Sequence, residues 1–204
     1  ALIFFFTFIV ISFMRSGDIR TLVLVCTVAL MGGLIVLMFR PYVANRFAAY
    51  GHVWEYFYTS GYQQTRTMIY SASGGFFGVG LGNGKLRDIF AATEDLVFGV
   101  VCEEFGMIMA GAILLSYVAL LVYSIRHSKY ARSSFYAICA CAASSLMLFQ
   151  AALNVFGVND ILPLTGVTLP FISRGGSSII SCWLLLAFIK AVDRSTYRYG
   201  GVRQ

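Results

Sequence analysis

Charge is what this sequence has least of. Aspartate, glutamate, lysine and arginine make up 12% of the 204 residues, against roughly 25% in a soluble globular domain. A chain so poor in charge cannot coat itself for water. Proline is scarce as well, at three residues, so the 20 glycines belong neither to a collagen-like repeat nor to a proline-rich linker. The two histidines, His52 and His127, form no cluster of zinc spacing with cysteine, and neither lies near a serine that could complete a triad. Five cysteines (Cys26, Cys102, Cys139, Cys141 and Cys182) all sit in apolar runs. Cys139 and Cys141, two apart on a helix, point to different faces, which argues against a disulfide or a metal clip and for small apolar side chains.

What the sequence does have is apolar mass, at 59%, far too much for disorder. It reads as an all-α polytopic membrane protein, since an open strand cannot satisfy its backbone in lipid. Apolar stretches run over Ala1 to Met14, Thr21 to Phe39, Leu96 to Ile125, Ser133 to Val158 and Leu169 to Ile189. The first is shorter than the roughly 20 residues a span needs and has no basic n-region before it, so it is expected to be a truncated helix rather than a signal peptide. The expectation is about five transmembrane segments in a single membrane domain, residues 1–204, with one large extracytoplasmic loop at 40–95. Small-residue faces such as Gly32-Gly33 and Ser144-Ser145 are expected to lack helix partners here.

The net charge of +6 is explained by the positive-inside rule and not by nucleic acid. With the C-terminus in the cytoplasm, the short inside segments hold Arg15, Arg20, Arg126, Lys129, Arg132, Lys190, Arg194, Arg198 and Arg203. Most of the remaining basic residues are spread over the 40–95 loop. That loop is too apolar and aromatic for disorder. Tyr42, Phe47, Tyr50, Trp54, Tyr56, Phe57, Tyr58 and Tyr62 crowd its first half, as an interfacial belt or as a platform for an amphiphilic ligand.

The glycine run Gly74 to Lys85 fails as a phosphate loop, because Val79 and Leu86 occupy positions that need Gly and Ser or Thr. Its glycines are expected to allow tight turns and close backbone approach beside a helix. Carboxylates are the remaining chemistry. Glu94 and Asp95 precede a helix and could cap it. Glu103 and Glu104 fall two turns later, at a depth where ionisable groups are costly. Adjacent positions diverge by about 100° on a helix, so only one is expected to face a given partner, with Arg174 the candidate for an ion pair.

The segment Leu162-Pro163-x-Thr165-Gly166-x-x-Leu169-Pro170-Phe171-Ile172-Ser173-x-Gly175-Gly176-Ser177-Ser178 resembles the C-terminal signature of the SEDS family (shape, elongation, division and sporulation) of bacterial cell-wall polymerases. Gln150 and Asn154 match the helix before it. Gly74-Gly75-x-x-Gly78-x-Gly80-Leu81-Gly82-x-Gly84 is similar to the family's large-loop motif, and Gly61-Tyr62-Gln63 and Pro41-Tyr42 fit the same loop. Asp95-x-x-Phe98-x-x-x-x-Glu103-Glu104-x-Gly106 resembles the stretch around the family's essential aspartate. Two departures stand out: Phe90-Ala91-Ala92-Thr93-Glu94 replaces the usual residues before that aspartate, and Arg174 stands where tyrosine is common.

The resemblance implies a fragment of a roughly ten-helix fold in the bacterial cytoplasmic membrane. It implies a glycosyltransferase that polymerises lipid II into glycan strands, with undecaprenyl diphosphate leaving. Asp95 is the implied catalytic residue. Lys85, Arg66, Arg87, Glu103, Glu104, Asn154, Ser173, Arg174, Ser177 and Ser178 are candidates for substrate binding. A divalent cation, Mg or Mn, would suit a carboxylate facing a diphosphate. The implied partners are lipid II, a class B penicillin-binding protein and membrane lipids, with no nucleic acid. A transporter of the same precursor and a noncatalytic scaffold for the transpeptidase are the alternatives. These 204 residues alone are expected to be inactive.

Overall fold

The computed structural model describes residues 2–16, 50–59, 61–131 and 133–192, with scattered residues between 18 and 32. Regular structure among them is helical throughout: α1 (Leu2–Ser16), α2 (Tyr62–Ser73), a 3-10 turn (Leu86–Asp88), α3 (Val97–Ser128), α4 (Ser134–Val158) and α5 (Gly176–Ala191). The 32 residues of α3 and the 25 of α4 are long and apolar enough to cross a membrane, and α1 and α5 are shorter apolar helices. The protein is an all-α membrane protein. The expected span Thr21 to Phe39 lies mostly outside the described residues, as do Pro41, Tyr42 and Phe47, and the basic C-terminal tail lies outside them entirely.

The structure adds two features to the sequence reading. The last helix begins at Gly176 and not at Leu169. Pro170 and a left-handed Phe171 (φ 63°) turn the chain first, because proline cannot continue a helix and a left-handed residue ends its hydrogen-bond ladder. The 40–95 loop is also not bare, since it carries α2 and the 3-10 turn.

The chain forms two compact units, to both of which α3 and α4 contribute. One comprises residues 1–31, 116–149 and 179–204. Its packing is built from small side chains: Ala140, Cys141, Ala143 and Ser144 of α4 are buried beside Met147. The Ser144 hydroxyl donates back to the Ala140 carbonyl at 2.9 Å, so its own polar group is not left bare. Phe6 of α1 stacks on Phe149 at 5.1 Å. Ser144 and Ser145 are thus already covered within this chain, contrary to the expectation that they await a partner; nothing lies within 4 Å of the position a Cβ would take on Gly32.

The other unit comprises residues 32–115 and 150–178 and holds every candidate site residue. Leu86, Ala92 and Val100 form its buried cluster, with Tyr70 and Ile89 packed on it. Helix α2 is polar in sequence yet buries Thr65 and Thr67 completely. Their hydroxyls donate to the Gly61 and Gln63 carbonyls at 2.9 and 2.6 Å, which leaves the threonine methyls free to pack. Gly99 of α3 meets the Thr67 methyl so closely that a Cβ there would collide.

Gly106 breaks α3, with φ 83° and ψ 173°. In an unbroken helix the amides of Met107 and Ile108 would donate to the carbonyls of Glu103 and Glu104. Here they donate to Gly75 and Phe76 at 3.0 and 3.4 Å, while Glu103 and Glu104 accept from Val79 and Gly80 at 2.9 and 3.1 Å. Two helix bonds are exchanged for four bonds to the glycine loop. Backbone must touch backbone for this to work. A Cβ on Gly74, Gly78 or Gly106 would run into the opposing main chain, which is the close approach the glycine run was expected to serve.

Candidate active site

Asp95 ends a tight turn. Ala91 opens it in the left-handed region (φ 60°), and its carbonyl accepts from the amides of Glu94 and Asp95 at 3.1 and 2.9 Å. A left-handed alanine costs about 1–2 kcal/mol, so the turn is held from outside. Its three successive carbonyls each have a distant donor. Thr93 accepts the Arg174 amide at 2.9 Å. Glu94 accepts the Ser173 hydroxyl at 2.6 Å. Asp95 accepts the Asn154 side-chain amide at 2.8 Å.

The same donors organise the 162–178 segment. Asn154 gives its second amide hydrogen to Val167, and the Ser173 hydroxyl accepts from the Leu169 amide at 2.7 Å. Gln150 donates to Thr168 at 3.1 Å, and Thr168 lies 3.2 Å from the Ser178 hydroxyl. The result sets Gly166 (φ 65°) against the Asp95 carboxylate: a Cβ on Gly166 would stand 3.1 Å from Oδ2. Asn154 and Ser173 are each 2% exposed. Asn154 Oδ1 and Thr165 Oγ1 are buried without a hydrogen-bond partner in the protein, so polar capacity remains beside this corner.

Glu103 and Glu104 make a second group with the cations of the loop. The Glu103 carboxylate accepts the amides of Lys85 and Leu86 at 2.8 and 2.9 Å. It therefore caps the 3-10 turn, a structural use of a buried charge. Glu104 is 5% exposed, and its Oε1 lies 3.7 Å from the guanidinium of Arg87, which is 53% exposed. Arg87, and not Arg174, is the basic partner, because the glycine loop carries residues 84–87 over this turn of α3. Both glutamates meet that one segment, since it wraps the helix beside the break. Lys85 is exposed.

Arg66 stands apart, its guanidinium 5.0 Å from the Phe57 ring centre and 5.6 Å from that of Tyr62, a cation–π pairing. Its Nε is buried without a hydrogen-bond partner. Ser177 is exposed on the first turn of α5.

Sequence reasoning did not single out Asp160. Its carboxylate accepts the Gly51 amide at 3.2 Å and faces the Gln64 amide at 3.5 Å, and Gln64 also donates to the Gly157 carbonyl at 2.9 Å. The 50–64 stretch is thereby tied to the end of α4. Burial pushes the Asp160 carboxyl above its ordinary value, against the opposing effects of the Gly51 amide and His52. A hint was present in Asn159-Asp160, since both residue types tolerate the left-handed conformation that Asp160 adopts (φ 57°). No group of three or more His, Cys, Asp or Glu side chains that could hold a metal occurs among the described residues.

Residues 1–198 match the model of a family of cell cycle proteins named for FtsW, RodA and SpoVE. A probable peptidoglycan glycosyltransferase FtsW from Buchnera aphidicola is 32% identical, over 95% of this chain and 50% of that protein. The peptidoglycan glycosyltransferase RodA of Mycobacterium tuberculosis is 29% identical, over 97% and 42%. Stage V sporulation protein E of Bacillus subtilis is 30% identical, over 92% and 52%. Among solved structures, a chain from a peptidoglycan synthase complex that coordinates polymerization and crosslinking superposes with a TM-score of 0.68 at 25% identity, covering 97% of this chain and 56% of that one. The chain spans about half the length of the curated relatives it matches. On the match of nearly its whole length, and on the motifs that build the Asp95 corner, the chain belongs to the FtsW/RodA/SpoVE family, the SEDS proteins.

Proposed function

We propose that this chain carries the catalytic corner of a peptidoglycan glycosyltransferase that polymerises lipid II. The observation that carries the reading is the clamp on Thr93, Glu94 and Asp95, whose carbonyls are held by Arg174, Ser173 and Asn154. A carboxylate used only as a helix cap has no need of such fixing. A base must be aimed within hydrogen-bond reach of the proton it takes, and reaction rate depends steeply on that aim.

In the reaction an acceptor sugar hydroxyl forms a new C–O bond at the anomeric carbon of the growing chain. The bond from that carbon to the lipid diphosphate breaks, and its electron pair leaves with the diphosphate. Asp95 takes the hydroxyl proton. Lys85 and Arg87 are exposed cations suited to diphosphate, Arg87 held near Glu104. A divalent cation, Mg or Mn, fits one carboxylate plus substrate phosphates better than an all-protein cage. Asp95 would hold it, and the ion would neutralise the leaving group.

The protein would sit in the bacterial cytoplasmic membrane with its C-terminus inside and the 40–95 loop outside. A class B penicillin-binding protein is the partner we propose, supported by the likeness to a chain of a polymerising and crosslinking complex. The test is lipid II polymerisation by the full-length protein carrying Asp95→Asn. Loss of a general base costs about 10²–10⁴ in rate, whereas the melting temperature and transpeptidase binding should not change. Near wild-type polymerisation would reduce Asp95 to a cap. Flipping of lipid II in liposomes without polymerisation would favour a transporter, and neither activity would favour a scaffold.

A further inference from the structure

The break in α3 marks a level in the membrane. At about 1.5 Å per residue, the 32 residues of α3 exceed the roughly 30 Å of a hydrocarbon core. Beyond the break, the uncharged helical part runs from Met107 to Ile125 and ends at Arg126 and His127. It is close to the length of one span, so its outer edge falls at Gly106. The glycine loop is stitched to α3 at that edge, because Met107 donates to Gly75 and Ile108 to Phe76. Phe76 is thus level with the first turn of the span.

The loop turns apolar side chains outward there. Phe76, Phe77, Val79 and Leu81 are 69, 85, 41 and 74% exposed, and Met107 and Ile108 beside them are 60 and 58% exposed. Gly78, Gly80 and Gly82 have positive φ, so the loop holds this shape through residues that favour it. No charge interrupts Gly74 to Gly84, and then Lys85 and Arg87 follow. An apolar tip bordered by cations matches the acyl–headgroup boundary of a bilayer, where aromatic rings settle and cations reach lipid phosphates.

We propose that the glycine loop is a membrane wedge, with Phe76, Phe77, Val79 and Leu81 inserted among phospholipids in the leaflet where α3 enters. The wedge does not depend on the glycosyl-transfer reading. It would moor residues 84–87 at the membrane surface.

The full-length protein is reconstituted in phosphatidylethanolamine and phosphatidylglycerol vesicles with a benzophenone amino acid in place of Phe77, of Leu81 or, as a control, of the exposed Asp88. After irradiation, mass spectrometry should find phospholipid adducts at 77 and 81 several-fold above those at 88. Adducts mainly to polypeptide, from elsewhere in the chain or from another molecule, would overturn the proposal, as would lipid adducts no more frequent than at 88. A second readout covers substitutions that insert poorly: a nitroxide on Phe77→Cys should collide more with oxygen than with a water-soluble nickel chelate. The reverse preference would also overturn the wedge.

Discussion

At Asp95 an acidic side chain sits on a backbone that distant residues have immobilised, and the carboxylate faces a position with no side chain. Gly166 has φ 65°, and a Cβ there would stand 3.1 Å from Asp95 Oδ2, so the carboxylate would have to shift by a few tenths of an ångström. Gly166→Ala should therefore cost about 1–2 kcal/mol from the left-handed backbone. It should also cut polymerisation by on the order of tenfold or more, since a reacting group misplaced by about 1 Å can cost 10² in rate. Gly157→Ala is the matched control, because its Cβ would meet only ordinary contacts from 3.5 Å outward. Asays of both variants, with melting temperatures, check this. Asp160 supplies a pH dependence. Its folded pKa is raised by burial, so its contribution favours the folded state below the ordinary carboxylate value and is lost as pH rises through the raised one. Melting temperature measured from pH 4 to 7 should carry this component in wild type, and Asp160→Asn should flatten it.

Among the elements, α3 and the glycine loop are one construction. The sequence pointed to close backbone approach in the glycine run, and that is what Gly74 and Gly78 provide against α3. It did not reveal that the helix would open to receive the loop, because an apolar run from Leu96 to Ile125 has the same pattern with or without a break. Gly106 has the φ and ψ of a region that is essentially glycine-only. Gly106→Ala should cost about 1–3 kcal/mol in backbone strain and push the loop off the helix. Hydrogen exchange at the Val79 and Gly80 amides, which donate to Glu103 and Glu104, should speed up markedly, while exchange at the far end of α3 stays slow. Protection of both amides equal to wild type would refute the coupling.

For the whole molecule, charge placement predicts the orientation. The end of α3 and its short connection to α4 carry Arg126, Lys129 and Arg132, and basic residues in short connections and at the helix ends beside them stay inside. Lys129 is exposed, so Lys129→Cys in the full-length protein should react with a membrane-impermeant thiol reagent only after the cells are opened. Labelling in intact cells would reverse the topology and put the Asp95 corner on the wrong side for an externally presented lipid-linked sugar.

Composition alone determined the solvent of this protein: with 12% charge and 59% apolar residues, burial in lipid and helical structure follow from hydrogen-bond satisfaction. Run lengths determined α4 to within one residue and α3 to within three. The family resemblance picked out Asp95, Asn154 and Ser173, but not what joins them. The tertiary structure decided that join, because a hydrogen bond from Asn154 to the Asp95 carbonyl crosses 59 positions of chain and one from Ser173 to Glu94 crosses 79. It also decided what Glu103 and Glu104 meet. A carboxylate in an apolar run reads the same whether it serves a substrate or a turn. Only the loop folded over α3 brings the Lys85 and Leu86 amides to Glu103 and the Arg87 guanidinium to Glu104.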